Sequence, residues 1–125
     1  MHKPFLQTGI LFCALSVALG AFAAHGLKQI LLPDALAVFE TGVRYQFFHS
    51  IALVITGILY QVANQKYCLW AGRLFVIGIL LFSISLYTLS LLLPDFRWIG
   101  AITPLGGLSF IFGWLVLLLS IRLKK

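Results

Sequence analysis

The sequence predicts an all-α integral membrane protein: a four-transmembrane-helix antiparallel bundle with an amphipathic segment between helices one and two. Four windows, 4–27, 45–65, 74–94 and 98–121, contain no Asp, Glu, Lys or Arg. At about 1.5 Å per residue, roughly 21 helical residues span a hydrocarbon core of about 30 Å. The chain is 62% hydrophobic and 10% charged, whereas soluble domains are about 25% charged. We therefore expect residues 1–125 to form one transmembrane domain.

Helix one is predicted at about 5–24. Its apolar run is longer than the roughly 7–15 residues of a signal-peptide core, so we expect it to remain uncleaved. Small residues recur every four positions at Ser16, Gly20 and Ala24. Because small side chains let a neighbouring helix approach closely, this face is predicted to pack against another helix.

An amphipathic outer segment is predicted at about 34–44, followed by helix two at about 45–63. Pro33-Asp34 is a helix-start signal, with Asp34 as the expected N-cap, and a bend is expected near Gly42. Glu40 and Arg44 stand four residues apart with the acid first, which favours a salt bridge on the outer side.

Helices three and four are predicted at about 71–93 and 103–121. The connections 66–73 and 94–98 are short, so consecutive helices should be antiparallel neighbours. Thr103-Pro104 is typical of an N-cap followed by proline in the first helical turn. Cys13 and Cys68 are expected to be unpaired, because the topology places them at different depths.

Four helices place both termini on one side of the membrane. That side holds six Lys and Arg residues and no acid, whereas the other holds three basic and three acidic residues. The positive-inside rule therefore predicts cytoplasmic termini. Because the basic residues form no patch that fits nucleic acid, the expected partners are the lipid bilayer and either a second copy or another membrane protein.

The apolar windows contain no carboxylate, which argues against a proton pump or a proton-driven exporter. Polar residues concentrate in the outer half of the predicted membrane: His25, Tyr45, Gln46, His49, Ser50, Ser83, Ser85, Tyr87, Thr88, Ser90 and Thr103. Three interpretations stay open: an interhelical hydrogen-bond network, a ligand pocket, or metal or haem ligation by the two histidines. Two histidines alone make a poor zinc site, so we expect no metal and no cofactor.

The chain contains no G-x-S-x-G motif, no glycine-rich phosphate loop and no buried acid that could orient a histidine. No catalytic residue is predicted, and we expect a protein that is not an enzyme.

Four ordered blocks resemble the YgdD/YwdK-type small membrane proteins, a family of unknown function. Residues 20–27, GAFAAHGL, are similar to its G-A-F-x-A-H-G-L signature, and residues 39–49, FETGVRYQFFH, to its F-x-T-G-V-x-Y-Q-x-x-H block. Residues 81–87 and 102–107 resemble its two later blocks.

The resemblance implies a four-helix bacterial inner-membrane protein and brings no activity with it. It singles out seven motif positions within the outer polar cluster: His25, Tyr45, Gln46, His49, Ser83, Tyr87 and Thr103. We expect His25 and His49 to lie at similar depth and to face the bundle interior in one polar network. The expected function is a non-enzymatic structural, assembly or interaction role, the alternative being small-molecule binding or transport through an outer polar pocket.

Overall fold

A computed structural model describes residues 1–92 and 97–123, and in this part of the chain every element is helical. Helix α1 spans Lys3–His25, α2 Pro33–Leu59, α3 Gln65–Gly78, α4 Ile84–Leu92 and α5 Thr103–Arg122. A π-helical segment, Ile79–Ser83, joins α3 to α4 without a break, and short 3-10 turns occupy Leu27–Gln29 and Arg97–Ala101. We count α3, the π segment and α4 together as the third span. With this count, four helices of the described chain are long and apolar enough to cross a membrane. The chain is thus an antiparallel bundle of four transmembrane helices.

The predicted amphipathic segment and helix two form one helix, α2, from Pro33 to Leu59. Proline occupies the first turn, where its missing N–H costs nothing, and Leu32 rather than Asp34 is the N-cap. The helix continues through Gly42, where a bend was expected. A Cβ atom there would lie 2.7 Å from Cε1 of Tyr87, so the glycine makes room for a ring and does not break the helix.

Helix three begins six residues before its predicted start at residue 71. Asn64 caps α3, because its side chain accepts a hydrogen bond from the Tyr67 N–H at 3.4 Å. The stretch 66–73, predicted as a loop, is therefore helical even though it carries Lys66 and Arg73. The Arg73 guanidinium lies 5.4 Å from the centre of the Trp70 ring. The predicted end at residue 93 lies outside the described residues.

The helices pack mainly as two pairs. Helix α1 makes its most extensive contacts with α2. Helix α5 makes its most extensive contacts with α3 and the π segment. Helix α2 joins the pairs by contacting α3, the π segment and α4. The largest buried cluster centres on Phe75, Ile79 and Phe110, and a second one on Ala23, Leu27 and Phe39.

Both ends of the described chain lie at the same end of the bundle, which we call the terminal face. The His2 N–H donates to the Gly57 carbonyl at 2.9 Å, and the Asn64 N–H donates to the Ser120 carbonyl at 2.8 Å. These bonds join the start of α1 to the end of α2, and the start of α3 to the end of α5. The opposite end, with the turns at 27–29 and 97–101, is the loop face.

Candidate functional site

Gln46 is the centre of a polar network that connects three helices. Its Nε2 donates to the Phe12 carbonyl of α1 at 3.1 Å, and its Oε1 accepts a hydrogen bond from the Tyr87 hydroxyl of α4 at 2.8 Å. The Gln46 side chain is only 5% exposed. Since the side-chain amide is used in both directions, it acts as a cross-brace between α1, α2 and α4.

Ser83 extends the network from the π segment. Its hydroxyl donates to the Gly42 carbonyl at 2.8 Å, and the side chain is fully buried. Gly42 lies one helical turn before Gln46 on α2, so the third span is bound to α2 at two successive turns. π-Helical turns often occur at functional sites, and here the turn carries the serine that reaches the α2 backbone.

Two further hydrogen bonds attach α5 to the third span. The hydroxyls of Ser85 and Thr103 lie 2.6 Å apart, and the Ser109 hydroxyl donates to the Leu74 carbonyl at 2.7 Å. Thr103 is not the N-cap that the sequence predicts. It is the first residue of α5, with Ile102 as the N-cap, and its hydroxyl contacts Ser85.

The His49 side chain lies inside the bundle, 6% exposed. Its Nδ1 is 2.7 Å from the Tyr45 carbonyl, and its ring stacks on Phe110 with centroids 3.5 Å apart and planes 10° apart. Because a carbonyl can only accept, Nδ1 carries the proton and Nε2 carries the lone pair. Within residues 1–92 and 97–123 no hydrogen bond to Nε2 is found, and because no fully buried nitrogen of these ranges lacks a partner, Nε2 must reach the surface of the bundle.

His25 does not join this network, contrary to the expectation that both histidines face the interior. It ends α1 at the loop face and is exposed. Helix α2 begins at Pro33, not near residue 45, so His49 lies about 24 Å along α2 at roughly 1.5 Å per residue. The two histidines therefore differ in depth and cannot ligate one ion or one haem.

Tyr45 contributes its ring, not its hydroxyl. The side chain is 39% exposed, and its ring lies 4.6 Å from that of Phe82 and 5.9 Å from that of His49. Three of the seven motif positions belong to the network that connects the helices: Gln46, Ser83 and Tyr87. Thr103 makes a hydrogen bond to α4, and His49 makes one within its own helix. The side chains of His25 and Tyr45 lie outside the network.

The outer salt bridge stays a prediction. Glu40 and Arg44 are both exposed on α2, one helical turn apart. An exposed pair of this kind contributes little, because holding two long side chains in one geometry costs conformational entropy.

The close contacts of α1 involve a different small-residue face from the predicted one. Ser16 is buried, but Ala24 is exposed, and a Cβ atom on Gly20 would meet only Val43 at an ordinary 3.5 Å. The buried small residues of α1 are Gly9, Ser16 and Ala23. Their spacing of seven was visible in the sequence, and a helix keeps one face over seven residues better than over four, because the drift is about 20° rather than about 40°.

The interior of the described bundle is neutral and hydrogen-bonded. Across residues 1–92 and 97–123, no fully buried side-chain nitrogen or oxygen lacks a hydrogen-bond partner. No three His, Cys, Asp or Glu residues of these ranges come together to hold a metal ion, and Cys13 and Cys68 are free thiols. Such an arrangement fixes helix positions.

Comparison with known proteins places the chain among small membrane proteins. A family model described as a protein of unknown function (DUF423) matches residues 19–107. The chain is 46% identical over 117 residues to the UPF0382 membrane protein of Haemophilus influenzae, covering 94% of this chain and 92% of that protein. It is 43% identical over 118 residues to UPF0382 membrane protein SH2409 of Staphylococcus haemolyticus, covering 94% of each. It is 39% identical over 119 residues to UPF0382 membrane protein YwdK of Bacillus subtilis, covering 94% and 95%. No solved structure matches.

Proposed function

Because this chain belongs to the DUF423 family of proteins of unknown function, whose relatives above are named membrane proteins, we propose that it is a non-enzymatic structural, assembly or interaction protein of the inner membrane. The closed network around Gln46 supports this proposal. It uses buried polar groups of three spans to brace the bundle. The partner would contact the outer surface of the helices.

The outer faces of α1 and α5 are the surfaces proposed for that contact. Each helix packs mainly on one neighbour and carries exposed apolar side chains, among them Leu11 and Leu15 on α1 and Leu115 and Leu118 on α5. Lipid tails cover such side chains by default, and a second copy or another membrane protein would cover them only with close packing.

Site-specific photo-crosslinking in intact membranes tests the proposal. A crosslinking residue at position 15 or 115 should yield one discrete protein adduct, and the same residue at buried position 53 should yield none. Lipid adducts alone at every exposed position would contradict a role in assembly.

We further propose cytoplasmic termini. The support is the six basic residues on the terminal side against three on the other, with all three acids on the loop side. A C-terminal reporter active only in the cytoplasm should be active, and activity of a periplasm-dependent reporter alone would reverse the orientation.

A second candidate function is small-molecule binding, favoured by His49. Its Nε2 lone pair lacks a partner among the described residues, next to the half-exposed Tyr45 ring. A hydroxyl-bearing amphiphile could donate to this nitrogen. Mass spectrometry of protein purified from membranes should then reveal a bound compound that is lost in His49→Phe and retained in His25→Phe; equal retention in both variants would exclude His49 as its site.

A further inference from the structure

An open cavity of about 720 Å³ lies at the terminal face, between the start of α3 and the end of α5. Residues 63–67 form one wall, and Arg122 and Leu123 form the other. Lys66 and Arg122, both exposed, therefore face the same space from two different spans. None of the residues in the closed network around Gln46 contributes to it.

Hydrogen bonds hold the two walls together. The Asn64 backbone N–H donates to the Ser120 carbonyl at 2.8 Å, and the Asn64 Nδ2 donates to the Leu123 carbonyl at 3.3 Å. The same residue caps α3 through its Oδ1. Two of the unpaired carbonyls at the end of α5 are thereby occupied, so fewer acceptors remain to repel an anion.

The described side-chain charges at this face are all positive. Besides Lys66 and Arg122, the terminal side carries Lys3 and Arg73, whereas the acids of the described residues lie in the first turns of α2, towards the loop side. No carboxylate of the described residues pairs with Lys66 or Arg122. The first N–H groups of α3 add a partial positive charge. Two cations beside a helix start favour a phosphate group.

The cavity also lies at the depth of lipid headgroups. Tyr67 lines it, and Trp70, 51% exposed, lies one turn further along α3. Aromatic residues of this kind mark the membrane–water interface. Exposed Leu119 of α5 lies one helical turn before Leu123 of the cavity wall, on the same helix face, where an acyl chain would pack against it.

We propose that this cavity binds the phosphate headgroup of an anionic phospholipid. Lys66 and Arg122 hold the phosphate from opposite sides, and the apolar surface of α5 contacts an acyl chain. Basic pockets between transmembrane helices at the headgroup level recognise anionic lipids in this way. The inference goes beyond the proposed function and depends neither on the orientation of the chain nor on a protein partner.

The test uses the full chain in a neutral detergent and follows the thermal unfolding midpoint with added phosphatidylglycerol, phosphatidylcholine or inorganic phosphate. Phosphatidylglycerol should raise the midpoint at low salt, and phosphatidylcholine should not. Since each cation near an anionic lipid contributes about fivefold, Lys66→Gln with Arg122→Gln should weaken phosphatidylglycerol binding by about 25-fold. The matched control, Lys28→Gln with Arg97→Gln, removes the same charge from exposed residues of the loop face and should bind as the parent does.

All four substituted positions are exposed, so both double variants should fold, and their unliganded midpoints check this directly. Equal effects of the two lipids, or equal losses in the two double variants, would overturn the site. Stabilisation by inorganic phosphate equal to that by phosphatidylglycerol would overturn a lipid as the ligand and would assign the cavity to soluble phosphate compounds.

Discussion

The two helix pairs of this bundle use glycine in different ways. In the pair α1–α2, Gly9 brings two backbones together: a Cβ atom there would lie 2.9 Å from the Ser50 carbonyl oxygen. In the pair formed by the third span and α5, glycines mostly receive aromatic rings, as Gly78 does for Phe110 and Gly113 for Phe75. Gly106 is the exception, because it packs on the backbone of the π segment at Phe82.

The difference shows which contacts prevent the two helices of each pair from moving along each other. Aromatic rings that pack against glycines fix the position of the third span relative to α5, and Ser109 and Thr103 add hydrogen bonds. The α1–α2 pair has fewer such rings and depends on close backbone approach and on Gln46. In lipid no hydrophobic force drives helices together, so contacts of these two kinds supply the stability.

The largest effect is expected at Gly106, on the backbone contact of the second pair. Gly106→Ala places a Cβ atom 2.7 Å from Cβ and 2.8 Å from Cα of Phe82, so α5 or the π segment must shift. We expect a loss of about 3 kcal/mol in the free energy of unfolding, the upper end for overpacking. Denaturant unfolding in detergent measures it.

The neighbouring glycine is the control for that prediction. A Cβ atom on Gly107 would meet Phe82 only at 3.9 Å, so Gly107→Ala should leave stability within about 0.5 kcal/mol. Because alanine has a higher helix propensity than glycine, propensity alone would stabilise both variants, so equal losses at the two positions would show that the Phe82 contact of Gly106 does not explain the effect.

A smaller loss is expected in the first pair. Gly9→Ala brings a Cβ atom within 2.7 Å of the side-chain atom Cγ2 of Val54, which can give way, and within 2.9 Å of the Ser50 carbonyl oxygen, a longer backbone contact than those of Gly106. We expect about 2 kcal/mol for Gly9→Ala, and little for Gly20→Ala, whose nearest contact is 3.5 Å away. The same unfolding assay compares them, and a larger loss at Gly20 would restore the four-residue face as the interface.

The polar bond that joins the two pairs should contribute less again. In a double-mutant cycle of Gln46→Leu and Tyr87→Phe, we expect a coupling of about 1 kcal/mol, because membrane hydrogen bonds are partly replaced in the unfolded state. Additive single effects would show that the 2.8 Å bond contributes nothing to stability.

The smallest effect is expected at His25, the exposed last residue of α1. His25→Ala should change the free energy of unfolding by no more than about 0.5 kcal/mol, as for an exposed site. A loss several times larger would show that His25 contacts another molecule or a second copy of the chain. Measuring the same variant across protein concentrations would distinguish a contact between copies from an effect within one chain.

The sequence alone determined the number of spans and the placement of charge. Transfer into lipid depends on each segment's own composition, so the charge-free windows predicted four helices without knowledge of any contact. Among the predicted polar positions, Gln46, Ser83 and Tyr87 make hydrogen bonds between spans, because a buried amide or hydroxyl must find a partner wherever it lies.

Only the tertiary structure decided which faces meet. Contacts depend on where each helix begins and on its rotation, and an early start of α2 moved His49 deep into the bundle and left His25 at the surface. A π turn inserts one residue and rotates the next part of the helix by about 100°, which no count of apolar residues reveals. The rotation of α1 about its axis places Gly9, and not Gly20, at the close contact with α2. The rotation of α4 places Ser85 beside Thr103.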